Sequence, residues 1–403
     1  MAPPPHGLIS HVYLVILLFN KGFFLSSAVH RAARARGAGV QDVRGEMGMT
    51  TQSLAVERQA AAPSPWIYSA RWDMSFLILS ASLVPVPIFL HFALLEPLFG
   101  TRQSVWIVNG LVALAIGGPH MYSTYTYTYM ERAFLRRYPV YVAVGLLIPV
   151  GVIVMALWDL QILISLFMMW ASVHVLHQIA YLTDCYRSRM PTRDSLWSRA
   201  IDYAVVGASL YPLATRKLVH GEFVIDNFVI LIPDFLRNDS IVVLAFAAFA
   251  VALTLFIGKT IIEVRERRAH YPKTLLISIA VLLAFFVPTL GNLSVAFQGM
   301  NAWHSCQYLA LVWYANKLRR ERGEITSGWI QRMSGSGQSL RFYLWMVGLT
   351  VAAGLVISIV RVVAGLTQEQ AYYIVVLSPL LLHYYLDHFL FVRPDQVMRP
   401  TVS

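Results

Sequence analysis

Charge is scarce in this sequence. Of 403 residues, only 13% are Asp, Glu, Lys or Arg, about half the share of an ordinary soluble domain, which excludes a solvated globular fold of this length. Cysteine is almost missing. Cys185 and Cys306 are too few for a disulfide framework or a thiolate metal cluster. A bridge between them is not expected, because Cys185 falls in a basic loop and Cys306 in an apolar segment. The apolar runs lack the period-two alternation of barrel strands. No phosphate-binding glycine loop and no Ser–His–Asp spacing is present, nor any solenoid-like repeat.

What is abundant is apolar length. Hydrophobic residues make up 57% of the chain, in runs near the roughly 20 residues that a helix needs to cross the hydrocarbon core. Backbone groups in lipid must be paired internally, so runs this long without alternation imply helices. The fold class is therefore all-α, a polytopic transmembrane helical bundle. Ten spans are expected, near 74–95, 104–128, 139–158, 161–182, 198–215, 240–258, 274–290, 295–316, 342–363 and 371–392. Pro85 and Pro87 should kink the first, and Asp202 and Pro212 make the fifth the weakest.

The net charge of +11 is not a nucleic-acid footprint, because the basic residues alternate between loops. Arg132, Arg136 and Arg137 follow span two, and Arg187, Arg189, Arg193 and Arg199 follow span four. Lys259, Arg265, Arg267, Arg268 and Lys273 follow span six, and Lys317, Arg319, Arg320 and Arg322 follow span eight. By the positive-inside rule this places both termini in the cytoplasm, most simply across a plasma (inner) membrane. The segments Glu263–Arg268 and Lys317–Arg322 read as solvated helix ends. Residues 1–65 differ from the rest and form a poorly specified extension before the membrane domain of residues 66–403. Their apolar run, Leu8–Phe19, precedes its positive charge, the reverse of a signal peptide. Met47 or Met49 is an alternative start.

Ionisable side chains inside spans are costly and usually functional. Histidine occurs at His91, His120, His174, His177, His304, His383 and His388 in five spans. His220 and His270 fall in loops and His6, His11 and His30 in the extension. His120 lies about 16 residues into its span, His174 about 13, His304 about 9 and His383 about 12, which at about 1.5 Å per residue is one band of depth. His91 runs the other way and should end near the opposite surface. His174 and His177 share a helix face, and each is a candidate for one place in a site. His304, Gln307 and Tyr308 make a second polar stripe, and His383 with Asp387 a third. His388 lies about 140° round the helix from His383, so the two cannot easily share an ion. Imidazole-rich, thiolate-free sites suit iron, copper or zinc, and Gln307, Tyr308, Asp387 and His388 are candidate outer partners of the ligands. The plain alternative is that each histidine hydrogen-bonds a neighbouring helix. The run Tyr122–Tyr129 reads equally as a substrate or water path and as an interfacial aromatic belt.

At these histidines the chain resembles the Brp/Blh family of membrane β-carotene-cleaving dioxygenases. Gly117-Gly118-Pro119-His120 is similar to its Gly-x-Pro-His segment, His174-Val175-Leu176-His177 to its His-Phe-Gly span, and Trp303-His304-Ser305 to its Ile-His-Ser span. Leu382-His383 through Phe389, Arg393 and Pro394 is similar to its closing segment. The chain departs from the family where Thr124 replaces an Asp, Tyr308 a second His, and His388 an Asp whose nearest counterpart is Asp387. The resemblance implies a membrane-embedded, non-haem iron oxygenase acting on a lipophilic, carotenoid-like substrate that enters from the bilayer. Its ligands would be His120, His174 or His177, His304 and His383. Two other readings use the same histidines: a haem-binding electron carrier, and a transporter or proton relay without metal.

Overall fold

The computed structural model describes residues 64–190, 194–391 and 398, and residues 65–403 form one compact unit. His6, His11, His30 and the alternative starts Met47 and Met49 lie outside the described residues, as does the side chain of His388. Ten rods follow one another: α1 (Ala70–Phe99), α2 (Thr101–Thr126), α3 (Pro139–Trp158), α4 (Leu160–Arg187), α5 (Leu196–Ser209, continued as Tyr211–Val219), α6 (Asp239–Arg265), α7 (Tyr271–Thr289), α8 (Leu293–Glu321), α9 (Ser339–Val363) and α10 (Gln368–Phe391). Strand structure among the described residues is confined to a hairpin pairing Val224–Ile225 with Phe228–Val229.

Eight of these rods are long and apolar enough to cross a membrane. The exceptions are α5 and α8. The latter has full membrane length, at 29 residues, but is more polar because it lies in the middle of the bundle and packs against α1, α2 and α7. A helix surrounded by other helices does not need a lipid-compatible surface. Peripheral rods show the converse, with Val362 and Val363 of α9 each 81% exposed. Exposed apolar residues over whole helix faces are the pattern of a membrane protein.

The winding of α1 changes where its prolines fall. A 3₁₀ stretch, Leu79–Leu83, precedes Pro85, and π turns occupy Asp73–Ile78 and Leu90–Leu95. Gly299 of α8 faces this break. A Cβ there would stand 2.3 Å from the Val84 carbonyl oxygen, so only glycine allows α8 to approach α1 this closely.

The basic segments are less solvated than their charge suggests. Lys273, 1% exposed, lies 3.2 Å from Asp194 and 3.1 Å from Asp202. Arg187 pairs with Asp184, Asp194 and Asp202, Arg199 with Asp184, and Lys259 with Asp202 and Glu263. Four cations thus meet four carboxylates between α4, α5, α6 and α7, and this pairing accounts for Asp202 within α5. Glu263 and Arg319 are buried, so the segments read as solvated helix ends are only partly so. Arg319 lies over the Tyr127 ring and 3.7 Å from buried Glu131. Cys185 belongs to the buried last turn of α4, not to a loop, and both cysteines are free. His270 is also buried, accepting a bond from the Lys273 backbone N–H at the start of α7. Burial and the neighbouring Lys273 charge push its pKa down to about 4.

Candidate metal centre

His120 is placed by an irregularity that its own sequence produces. Pro119 has no N–H to donate four residues back, and the helix takes a π turn at Ala113–Gly117 just before it. The Ala115 carbonyl that Pro119 cannot satisfy accepts instead from the Tyr343 hydroxyl at 2.6 Å. Gly118 lets α9 approach, since a Cβ there would lie 2.3 Å from the Thr350 side chain. The His120 ring then turns back on its own helix, with Nδ1–H donating to the Gly117 carbonyl at 2.5 Å and Ser305 Oγ beside it at 2.9 Å. A carbonyl can only accept, so the proton is on Nδ1 and the Nε2 lone pair is free.

His383 sits on α10, one turn after Pro379 and one turn before Asp387. Its Nδ1 is 2.5 Å from Thr124 Oγ1, Thr124 Oγ1 is 2.6 Å from the Tyr308 hydroxyl, and Tyr308 donates to Asp387 Oδ1. Tyr308 spends its proton on the carboxylate, so the Thr124 proton goes to Tyr308 or, at 3.5 Å, to Asp387 Oδ1, and in either case Thr124 accepts from His383 Nδ1–H. Again Nε2 is left with a free lone pair.

Four imidazoles meet here. Ring centroids are 5.2 Å apart for His120 and His304, 4.9 Å for His304 and His174, 5.1 Å for His174 and His383, and 4.9 Å for His383 and His120. Contributed by α2, α8, α4 and α10, they close a ring in which each packs edge-on against its neighbours. All four are 5% exposed or less. The Nε2 atoms of all four, and Nδ1 of His304, have no hydrogen-bond partner. Buried polar atoms without partners are rare in folded proteins, and two overlapping groups among these residues could hold a metal ion. Candidate ligand atoms of His120, His304 and His383 lie within 4.8 Å of one another, as do those of His174, His383 and Asp387. Two neighbouring nitrogens about 2.1 Å from one ion are separated by roughly 3.0–3.4 Å, so these sets must close somewhat to bind one.

The structure also separates the sequence candidates. His174 joins the quartet and His177 does not: its ring packs on Phe391 at 5.3 Å. His91 is away from the cluster, as its depth required: it is buried near the turn between α1 and α2, and its Nδ1 bonds Ser104 Oγ at 2.7 Å. Tyr308 and Asp387 border the quartet. Gln307 does not. Its amide donates to the Leu77 carbonyl at 2.6 Å and accepts from Gln178 at 3.0 Å, tying α8 to α1 and α4. In the stretch Tyr122–Tyr129, Tyr125 is buried and Tyr122, Tyr127 and Tyr129 are half-buried. Thr124, Thr126 and Thr128 are buried, Tyr125 donates to the Pro379 carbonyl, and Asn316 donates to Thr126. Sequence reasoning missed Thr124 and Ser305, which hold two of the imidazoles, and Tyr384, which stacks on His174 at 4.0 Å. Ser305 directly follows His304, but no sequence signal pairs it with His120. Comparison with family models, curated proteins and solved structures finds no match for this chain.

Proposed function

We propose that this chain is a membrane-embedded non-haem iron enzyme of the oxygenase type, acting on a lipophilic, carotenoid-like substrate. The observation that carries the reading is the closed ring of four buried imidazoles whose Nε2 atoms lack partners. His120, His174, His304 and His383 would hold the ion. A ferrous ion in such a site, with a coordination position left open, supplies oxygen activation. The chain's own residues do the rest. Gly117 and Thr124 fix the tautomers of His120 and His383, Tyr384 restrains the His174 ring, and the surrounding helices exclude water. The motif resemblance to the Brp/Blh family supports the same reading, and with it an inner-membrane location and a substrate arriving through the bilayer.

Ring centroids 4.9–5.2 Å apart favour a single ion over haem, since a porphyrin does not fit between edge-packed neighbours. A proton relay would need histidines strung across the membrane, whereas these four share one depth. The test is metal analysis of purified protein with a visible spectrum. Stoichiometric non-haem iron is expected, lost from H120A, H304A and H383A and kept in H91A. A Soret band would favour the haem carrier. Wild type without metal, or metal content indifferent to all these substitutions, would refute the proposal.

A further inference from the structure

One carboxylate faces the quartet with half of its bonding capacity unused. Asp387 is 2% exposed. Its Oδ1 accepts from the Tyr308 hydroxyl and lies 3.3 Å from His383 Nδ1. Its Oδ2 has no hydrogen bond and stands 3.5 Å from His174 Nε2, which has none either. Among the described residues, the ion-pairing groups within reach of Asp387 are these two histidines, and no Lys or Arg accompanies them. A buried carboxylate is retained when it is paired with a cation or coordinates a metal.

Resting on the metal reading above, we infer that Asp387 is itself a ligand, forming with His174 and His383 a two-histidine, one-carboxylate face, rather than a group that only orients an imidazole. The candidate ligand atoms of these three residues lie within 4.8 Å of one another. With His120 and His304 this would make four imidazoles and one carboxylate, leaving one octahedral position open, and an anionic oxygen ligand disfavours the softer Cu(I). It also lowers the net charge of a divalent site in a low-dielectric interior. Tyr308 becomes a positioning residue: by occupying Oδ1 it leaves Oδ2 as the free donor atom. Thr124 holds the Tyr308 hydroxyl in turn, at 2.6 Å.

The full chain in detergent is stripped with a chelator and reloaded anaerobically with Fe(II), or with Co(II) as a spectroscopic probe. Wild type, D387N, D387E and Y308F are compared by metal stoichiometry, by chelator competition and by the Co(II) visible spectrum. We expect D387N to weaken iron binding by more than about 100-fold, beyond the range of an orienting partner, and to change the Co(II) bands. Y308F should weaken binding by about 10-fold. An unchanged Co(II) spectrum in D387N overturns the inference whatever the affinity. Should metal-free D387N misfold, D387E decides instead, and unchanged Co(II) bands and affinity in that variant overturn the inference. Metal-replete wild type with an indifferent D387N overturns this inference alone; wild type that takes up no metal overturns the metal reading and this inference together.

Discussion

Two hydroxyls touch imidazole Nδ1 atoms at the quartet, and deleting them should have unequal effects on metal affinity. Thr124 Oγ1 is 2.5 Å from His383 and Ser305 Oγ is 2.9 Å from His120. His120 has a second acceptor, the Gly117 carbonyl at 2.5 Å, so S305A leaves its tautomer fixed and loses mainly the Ser305 bond to Asn301 at 3.1 Å, about 0.5–1.5 kcal/mol of stability. His383 has no equivalent. In T124V its Nδ1–H is left with Asp387 Oδ1 at 3.3 Å, and the bond that Thr124 donates is lost as well. Valine matches threonine in shape, so the change removes polarity with little cavity. One buried group stranded in this way costs about 1–3 kcal/mol, which is roughly 5- to 150-fold in an equilibrium constant. Thermal unfolding of metal-free protein and chelator competition of loaded protein both report it. T124V should lower both quantities, whereas S305A should leave metal affinity unchanged. Equal effects of the two variants on metal affinity, or a silent T124V, would refute the acceptor role derived for Thr124.

Three further outcomes are expected. In D202N, Lys273 and Lys259 lose a fully buried counter-ion, so unfolding in detergent should show a loss of about 3–5 kcal/mol. The double variant D202N/K273M restores the charge balance and should lose less than the sum of the single changes; strict additivity would refute a coupled network. His270, held neutral to about pH 4 against an ordinary value of 6.5, stabilises the fold fully above pH 6.5. That contribution is lost as pH falls towards 4, because the unfolded chain binds the proton first. It amounts to at most about 3.4 kcal/mol, and melting curves of H270Q should lose this acid limb; curves parallel to wild type would contradict it. Single cysteines placed at exposed Glu222 and Ser336, in a chain whose own cysteines are replaced, should react with impermeant reagent from opposite faces of the membrane. Labelling of both from one face would break the alternating topology.

Much of the fold was legible because span length is a local property. Each of the ten expected spans corresponds to one rod, and the ends differ by a few residues. Span five stood out as weak for the right residue, since Asp202 is there, but its three cationic partners lie on α4, α6 and α7. No window along the sequence brings them together. The same blindness made Glu263 and Arg319 read as solvated charges. Charge in a loop is visible in a sequence. What it folds against is not.

Depth was legible and azimuth was not. Counting residues along helices of fixed rise puts His120, His174, His304 and His383 in one layer and removes His91 from it. Whether two side chains at one depth meet depends on how each helix is rotated, which its neighbours set. His174 and His177 differ by about 60° round α4, and Gln307 and Tyr308 by about 100° round α8. Packing turned His174 and Tyr308 inward, sent His177 to Phe391 and Gln307 to Leu77 and Gln178. Thr124 reads in sequence as a mere departure from an acidic position; its hydroxyl finds Tyr308 and His383 at separations of 184 and 259 residues. The sequence by itself determined a membrane-embedded helical bundle and the layer in which its histidines lie, because rise per residue and lipid compatibility act locally. Only the tertiary structure decided which imidazoles face one another and what holds them, because helix rotation is fixed by contacts between segments far apart in the chain.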